Sequence, residues 1–178
     1  MAQLEWSDAL ALDLPLMDDI HHEFIDLLAA VNRADDASVQ SAWSALVEHT
    51  DHHFAQEDAW MLSTRFASGN CHSMQHKVVL QVMREGAVRA AQGDLAVLRV
   101  MASELALWFP QHAQSMDAAL ALHLRRVGFD PASGVVHAPD ALPSALIHGC
   151  GGATCSDAPQ AEPADTPAAV GQPQAAVA

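Results

Sequence analysis

Four stretches of the chain repeat apolar residues every three or four positions, which is the spacing of one face of an α-helix. They run from Ile20 to Val31, from Val39 to Met61, from His72 to Ala87 and from Leu98 to Leu120. No segment shows the strict alternation of apolar and polar residues that indicates a half-buried strand. The pattern therefore predicts four helices and no competing sheet.

Short connections join the four predicted helices. Asn70 is a candidate N-cap of the third helix, Gly93 ends it, and Asp94 is a candidate N-cap of the fourth, which ends near Gly128. Helices joined in this way are typical of an antiparallel up-down-up-down bundle. We therefore predict an all-α four-helix bundle that occupies residues 1–130.

The composition changes after about Val135. Residues 156–178 are mainly Ala, Pro, Gln and acidic residues, without an aromatic or basic side chain. Such a segment cannot bury enough apolar surface to offset the entropy lost on ordering. We predict that residues 131–178 form a flexible, Ala/Pro-rich tail whose last part is disordered.

Seven side chains on the predicted helices are of types that commonly bind metals. In chain order they follow the pattern H, then H-x-x-x-E, then H-x-x-x-H, then H-x-x-x-x-D. They are His21, His53, Glu57, His72, His76, His112 and Asp117. A single His on an apolar face is more often a core or surface residue than a ligand. This set requires four helices in register, however, and a real metal site must meet many such constraints at once. The pattern therefore favours one shared site.

The number of donor atoms indicates two metals with one position left over. Two octahedral metals have twelve positions. Two carboxylates that each bridge both metals, with one bridging oxygen, fill six of them, and five imidazoles fill five more. If three His bind one metal and two bind the other, the second metal keeps a vacancy for one small molecule. Mixed imidazole and carboxylate ligands in a helical bundle favour iron, so we predict two non-haem iron ions with an oxo or hydroxo bridge.

The last pair of ligands has an unusual spacing. His53 and Glu57, like the His pair of the third helix, are four residues apart and share a helix face. His112 and Asp117 are five apart, which is about 140° around an ideal helix. They can converge only if the Asp reaches across or the helix is distorted. Pro110, two residues before His112, would remove a backbone hydrogen bond and bend the helix there.

The charge of the chain excludes several classes of partner. The formal net charge is −14, whereas nucleic acids and anionic membranes require a basic surface. The first nineteen residues are acidic and lack the features of a signal peptide, and no apolar run is long enough to span a membrane. Three cysteines, an odd number, do not suggest a secreted disulfide framework. We therefore predict a cytoplasmic location and no nucleic-acid or membrane partner, while the sequence leaves a protein partner unknown.

The sequence around the seven side chains resembles the ligand motifs of the hemerythrins, and in particular the bacterial single-domain type. The matching segments are MDDIH ending at His21, HFAQE from His53, HSMQH from His72 and HAQSMD from His112. The resemblance covers roughly residues 6–128 and includes all seven ligands. It implies an up-down-up-down bundle, a fold for which a hemerythrin relative is a standard example.

The resemblance also implies a role for each ligand. His72, His76 and His112 would bind the six-coordinate iron, and His21 and His53 would bind the iron with the vacancy. Glu57 and Asp117 would bridge the two irons. In that family the reduced site binds O₂ at the vacancy, so the resemblance implies reversible O₂ binding without catalysis, for storage, delivery or sensing.

Five further residues are candidates for the wall of the O₂ pocket. Phe24, Phe54, Trp108 and Phe109 each neighbour a ligand or lie one turn from it, although side chains at such positions can equally belong to the core. The fifth is Ala113, where the family usually has a bulky aliphatic residue directly after the fourth-helix His. On the resemblance, this departure opens space beside the vacant position.

Two other functions stay open at this stage. One is a di-iron enzyme that acts on peroxide or nitric oxide or repairs damaged iron centres, although no general acid or base is evident beside the ligands. The other is a signalling module, although no output domain is attached.

Overall fold

The computed structural model describes residues 4–66 and 71–145, and it confirms the predicted all-α four-helix bundle. Its helical elements, in chain order, are a 3₁₀ turn (Asp8–Leu10), α1 (Pro15–Arg33), α2 (Val39–Ser63), α3 (Cys71–Ala91), α4 (Ala96–His112), a π turn (Ala113–Asp117), α5 (Ala118–Arg126) and a 3₁₀ turn (Pro139–Ala141). Helix α1 packs against α2 and α4, and α3 packs against the same two helices. Together α4, the π turn and α5 form the fourth helix of the bundle.

The predicted signals at the connection between α3 and α4 are present in the structure. Gly93 has φ of +100°, a left-handed conformation that glycine adopts without a steric penalty, and it follows the last turn of α3. The side chain of Asp94 accepts a hydrogen bond from the backbone N–H of Val97 at 3.3 Å, as an N-cap residue does. Asn70, the other predicted cap, lies outside the described residues.

Two apolar clusters make up the core of the bundle. The larger core cluster includes Trp43, Leu46 and Leu98, and the smaller core cluster includes Met61 and Leu120. All five side chains are at least 95% buried. Along each of α1, α2 and the fourth helix, the predicted ligands lie between residues of the two clusters. The candidate site is therefore held at mid-bundle, with packed apolar side chains on both sides.

The π turn explains how ligands five residues apart can share one face of the fourth helix. The backbone N–H of Ala118 bonds to the carbonyl of Ala113, which is the five-residue step of a π-helix. In this geometry His112 and Asp117 are one turn apart instead of about 140° apart. The distortion expected from the spacing is thus present. It begins after His112, while α4 continues through Pro110 without interruption.

A short hairpin follows the bundle, and the sequence pattern did not predict it. Strand β1 (Phe129–Asp130) pairs antiparallel with β2 (Val135–Val136), with Phe129 opposite Val136. Strands of two residues are too short to produce a periodic signal. Phe129 is a member of the smaller core cluster, and Leu142 packs against the same cluster. The described chain therefore still contacts the bundle after residue 130. The predicted boundary at residue 130 falls within this hairpin, and the predicted disordered segment lies outside the described residues.

No helix within residues 4–66 and 71–145 combines the length and the apolar character that crossing a membrane requires.

Candidate metal centre

The seven predicted ligands meet in one buried layer at the middle of the bundle, which we call the ligand layer. Each of them is at most 2% exposed. They come from all four bundle helices, with one from α1, two from α2, two from α3 and two from the fourth helix. The layer consists of His21, His53, Glu57, His72, His76, His112 and Asp117.

Five donors form the first half of the layer. His76 Nε2 lies 3.3 Å from both His112 Nε2 and Glu57 Oε2. His72 Nε2 lies 2.9 Å from Asp117 Oδ1, and His112 Nε2 lies 3.2 Å from the same oxygen. Adjacent donors around an octahedral ion with bonds of about 2.1 Å are separated by about 3 Å. These distances therefore suit donors that surround one ion, and we call this group the three-His half.

Four donors form the second half. His53 Nε2 lies 3.1 Å from Glu57 Oε1, and His21 Nε2 lies 3.3 Å from Asp117 Oδ2 and 3.8 Å from Glu57 Oε1. Each carboxylate thus turns one oxygen toward the three-His half and its other oxygen toward this two-His half. A carboxylate placed in this way can bridge two metals.

The electrostatics of the layer are those of a cation site. Burial alone would lower the pKa of His21 and raise that of Glu57. Close contact between imidazoles and carboxylates reverses both effects, so the pKa of His21, like that of His72, is raised to about 9. The pKa values of Glu57 and Asp117 are held well below their usual range by the neighbouring His side chains. Both carboxylates are therefore ionised and available as ligands near neutral pH.

Buried polar atoms without hydrogen bonds test whether a metal fits. Nε2 of His21 and of His72, Oε2 of Glu57 and both carboxylate oxygens of Asp117 have no hydrogen-bond partner in the described part of the chain. Leaving such atoms unsatisfied in a core is costly. Metal ions would satisfy them, and mixed imidazole and carboxylate donors suit iron. The residues present therefore fit a pair of iron ions.

Two residues that support the ligands were not singled out from the sequence. Asp58 Oδ1 lies 3.0 Å from His76 Nδ1, and Gln75 Oε1 lies 3.3 Å from His112 Nδ1. Each directly neighbours a ligand in sequence. That position carries no signal of its own, because a polar residue beside a buried one on a helix ordinarily faces solvent. Only the packing of α2 against α3, and of α3 against α4, brings them to these imidazoles.

The structure divides the predicted aromatic wall between the two halves. Phe109 meets His21 edge-on at 5.1 Å and stacks on Phe24 at 4.5 Å, so this pair borders the two-His half. Ala113 is fully buried and packs in the larger core cluster with both of them. Their role as the wall of an O₂ pocket stays a prediction.

The other two predicted wall residues lie against the three-His half. Phe54 stacks on His76 with ring centroids 4.0 Å apart, and Trp108 stacks on His112 at 4.4 Å. Phe54 also lies 5.3 Å from His53, so it touches both halves. Trp108 therefore packs on a predicted ligand of the three-His half.

His49, one turn before His53, bonds to the backbone instead of to a ligand. Its Nε2 lies 3.2 Å from the carbonyl oxygen of Ile20, and its Nδ1 lies 3.5 Å from Glu23. Burial, followed by the nearby His53, lowers the pKa of His49. This side chain therefore joins α2 to α1 as a largely neutral imidazole beside the ligand layer.

Comparison with known proteins agrees with this geometry. The family described as the Hemerythrin HHE cation binding domain matches residues 12–122, which include all seven residues of the ligand layer. The chain belongs to the hemerythrin family. Its bundle and ligand layer are thus those of a hemerythrin domain, followed by a hairpin beyond the matched segment.

Curated relatives extend the match to bacterial members of the family. A bacteriohemerythrin of Ralstonia nicotianae is 41% identical over 130 residues, which cover 73% of this chain and 95% of that protein. Bacteriohemerythrins of Pseudomonas paraeruginosa and Pseudomonas aeruginosa are each 25% identical over 122 residues, covering 66% of this chain and 79% of those proteins. No solved structure matches. The chain is therefore a bacterial hemerythrin.

Proposed function

We propose that this hemerythrin holds two iron ions in the ligand layer and binds O₂ reversibly at one of them. His72, His76 and His112 would hold one ion, and His21 and His53 would hold the other. Glu57 and Asp117 would bridge the two ions. This assignment matches the one that the family resemblance implies.

The observation that carries the proposal is the unequal division of donors. Three imidazoles and two carboxylate oxygens lie in the three-His half, whereas two imidazoles and two carboxylate oxygens lie in the two-His half. With a shared bridging oxygen, an ion in the three-His half would have six donors, whereas an ion in the two-His half would have only five. The position left over would be available to O₂.

The side chains around the two-His half suit a small apolar ligand. Phe24 and Phe109 are each about 1% exposed, and Ala113 is fully buried. An apolar wall excludes water and anions that would compete for the vacant position. When bound, the iron pair supplies the electrons that reversible O₂ binding requires, and the protein keeps bulk solvent from that pair.

The composition of the donor set favours a carrier over an oxygenase. Five neutral imidazoles and two carboxylates donate less negative charge than a carboxylate-rich set, and so stabilise high-valent iron less. Cleavage of the O–O bond is then disfavoured and release of intact O₂ is possible. We therefore propose a role in O₂ storage, delivery or sensing.

An absorption experiment tests the proposal. The reduced, iron-loaded protein is recorded before exposure to air, after exposure, and again after removal of O₂, with two irons per chain verified beforehand. We expect a visible band that appears with O₂ and disappears without it. Irreversible bleaching with consumption of added peroxide would instead support a di-iron enzyme, and fewer than two bound irons would contradict the assigned site.

A further inference from the structure

The two halves of the ligand layer differ in what holds the outer nitrogens of their imidazoles. In the three-His half, Nδ1 of His76 lies 3.0 Å from the carboxylate of Asp58, and Nδ1 of His112 lies 3.3 Å from the amide oxygen of Gln75. A ligating His whose second nitrogen donates to an oxygen is fixed in tautomer and orientation and is a stronger donor. Two of the three imidazoles in this half have such support.

Aromatic packing reinforces that support. Phe54 is stacked nearly parallel on His76, and Trp108 is stacked on His112. The indole N–H of Trp108 also donates to the amide oxygen of Gln75 at 3.3 Å. The oxygen that accepts from His112 is therefore itself held in place, and neither imidazole can rotate without disturbing a packed ring.

The two-His half lacks comparable support. Nδ1 of His21 and Nδ1 of His53 have no hydrogen-bond partner in residues 4–66 and 71–145, although both atoms are buried. In the other half, Nδ1 of His72 also lacks a hydrogen-bond partner in the described residues, but the two other imidazoles of that half are supported. The two-His half thus has fewer donors as well as less restrained ones.

We propose that the two halves hold their metals with different strength, and that Asp58 is a positioning residue responsible for part of the difference. This inference rests on the two-iron site proposed above. The three-His half loads first and retains its ion, while the ion of the two-His half exchanges. The protein therefore has a stable one-iron form in which only His72, His76 and His112 with the two carboxylates are occupied.

Stepwise removal of iron tests the inequality. The reduced, fully loaded protein is equilibrated without air against increasing concentrations of a soluble iron chelator, and the iron per chain is measured at each step. We expect a plateau at one iron per chain. Loss of both irons in a single step would overturn the inference while leaving the two-iron site intact. A chain that never binds two irons would instead contradict the proposed function.

Variants identify which half retains the ion. The variant His53→Ala should keep one iron per chain. That iron should resist the chelator to the same concentration as the last iron of the natural protein. The variant His76→Ala should have no iron that resists in this way. The reverse pattern would show that the two-His half is the tighter one and would overturn the inference.

The role of Asp58 is tested by comparing how its substitution affects release of the first iron and release of the last iron. Because its contact is with His76, Asp58→Asn should move release of the last iron to a chelator concentration about 10 to 100 times lower, the range typical of outer-shell partners, without moving release of the first iron. The variant Asp58→Glu, which keeps the carboxylate, should restore part of the retention. Glu48→Gln, on the exposed surface of the same helix, is the matched control and should change neither step. A shift of both steps, or of neither, in Asp58→Asn would rule out a positioning role.

Discussion

The ligand layer and the larger core cluster are both buried, but one consists of ionisable side chains and the other of apolar side chains. The cluster around Trp43 is apolar, and the indole N–H of Trp43 donates to the carbonyl oxygen of Met83 at 3.0 Å. The ligand layer contains seven ionisable side chains, several of whose polar atoms lack hydrogen bonds. Burial therefore stabilises the fold in the first region. In the second region it leaves polar atoms without hydrogen bonds, and a bound cation can compensate for this cost.

This difference implies that the two regions respond to different changes. Substitutions at Trp43 should alter stability whether or not metal is present, because its indole N–H bonds to the backbone of Met83 and not to a ligand. Substitutions in the layer should alter metal content first and stability mainly through the metal. The four predictions below test this separation.

The largest effect is expected from removing a ligand of the supported half. His112→Ala should lose at least one iron and the whole O₂-dependent absorption band, because three of the ligand contacts in that half involve His112 or the oxygen that it shares. Iron per chain and the visible spectrum are the measurements. Retention of two irons in the variant would show that His112 is not a ligand.

The next largest effect is expected on stability alone. Trp43→Ala should lower the free energy of unfolding by about 3–5 kcal/mol, as truncation of a fully buried aromatic residue commonly does. Urea unfolding of the metal-free and iron-loaded proteins should give the same loss. The milder variant Trp43→Phe removes the hydrogen bond to Met83 and should behave similarly with a smaller loss. An iron content below two in folded Trp43→Phe would break the proposed separation.

The third prediction concerns the metal-free layer and its dependence on pH. His21 and His72 have folded-state pKa values of about 9, above the ordinary value of 6.5, so their stabilising contribution is complete below about pH 6.5. That contribution is lost as the pH rises through about 9, and for each imidazole the loss is on the order of 3 kcal/mol. The iron-loaded protein should lack this loss, since its imidazoles are already neutral.

Urea unfolding at about pH 6, 7.5 and 9 measures this dependence in both forms. A parallel decline in the metal-free and iron-loaded proteins would show that the ligand-layer imidazoles are not its source.

The smallest effect is expected at the border of the two regions. Ala113→Ile should slow autoxidation of the O₂-bound form, because a larger side chain in the cluster that contains Phe24 and Phe109 should tighten the apolar wall that excludes water and anions. Ala113 is fully buried, so the added atoms require neighbours to shift, at a cost of about 1–3 kcal/mol. Iron content should stay at two.

The decay of the absorption band, at one pH and one anion concentration, measures the autoxidation rate. Ala102→Ile controls for overpacking. Ala102 is equally buried in the same cluster, but it is not adjacent to a ligand in the chain as Ala113 is. Equal or faster decay in Ala113→Ile than in the natural sequence would refute this account of the pocket.

Most of the fold could be predicted from the sequence because helix signals are local. The apolar period, the turn at Gly93 and the cap at Asp94 each involve residues within one or two helical turns. The hairpin of β1 and β2 has no such signal, since two residues cannot establish a period and since Phe129 packs in a cluster that includes residues as distant in sequence as Met61.

The sequence by itself also determined which side chains could be ligands, because the i,i+4 pairs and the odd five-residue step are visible in the chain. Tertiary structure decided how they are divided. The π turn set the direction of Asp117, and helix packing turned one oxygen of Glu57 toward each half. Helix packing also brought Asp58 to His76 and placed Trp108 on the three-His side. These are distances between helices, which no periodicity along one helix encodes.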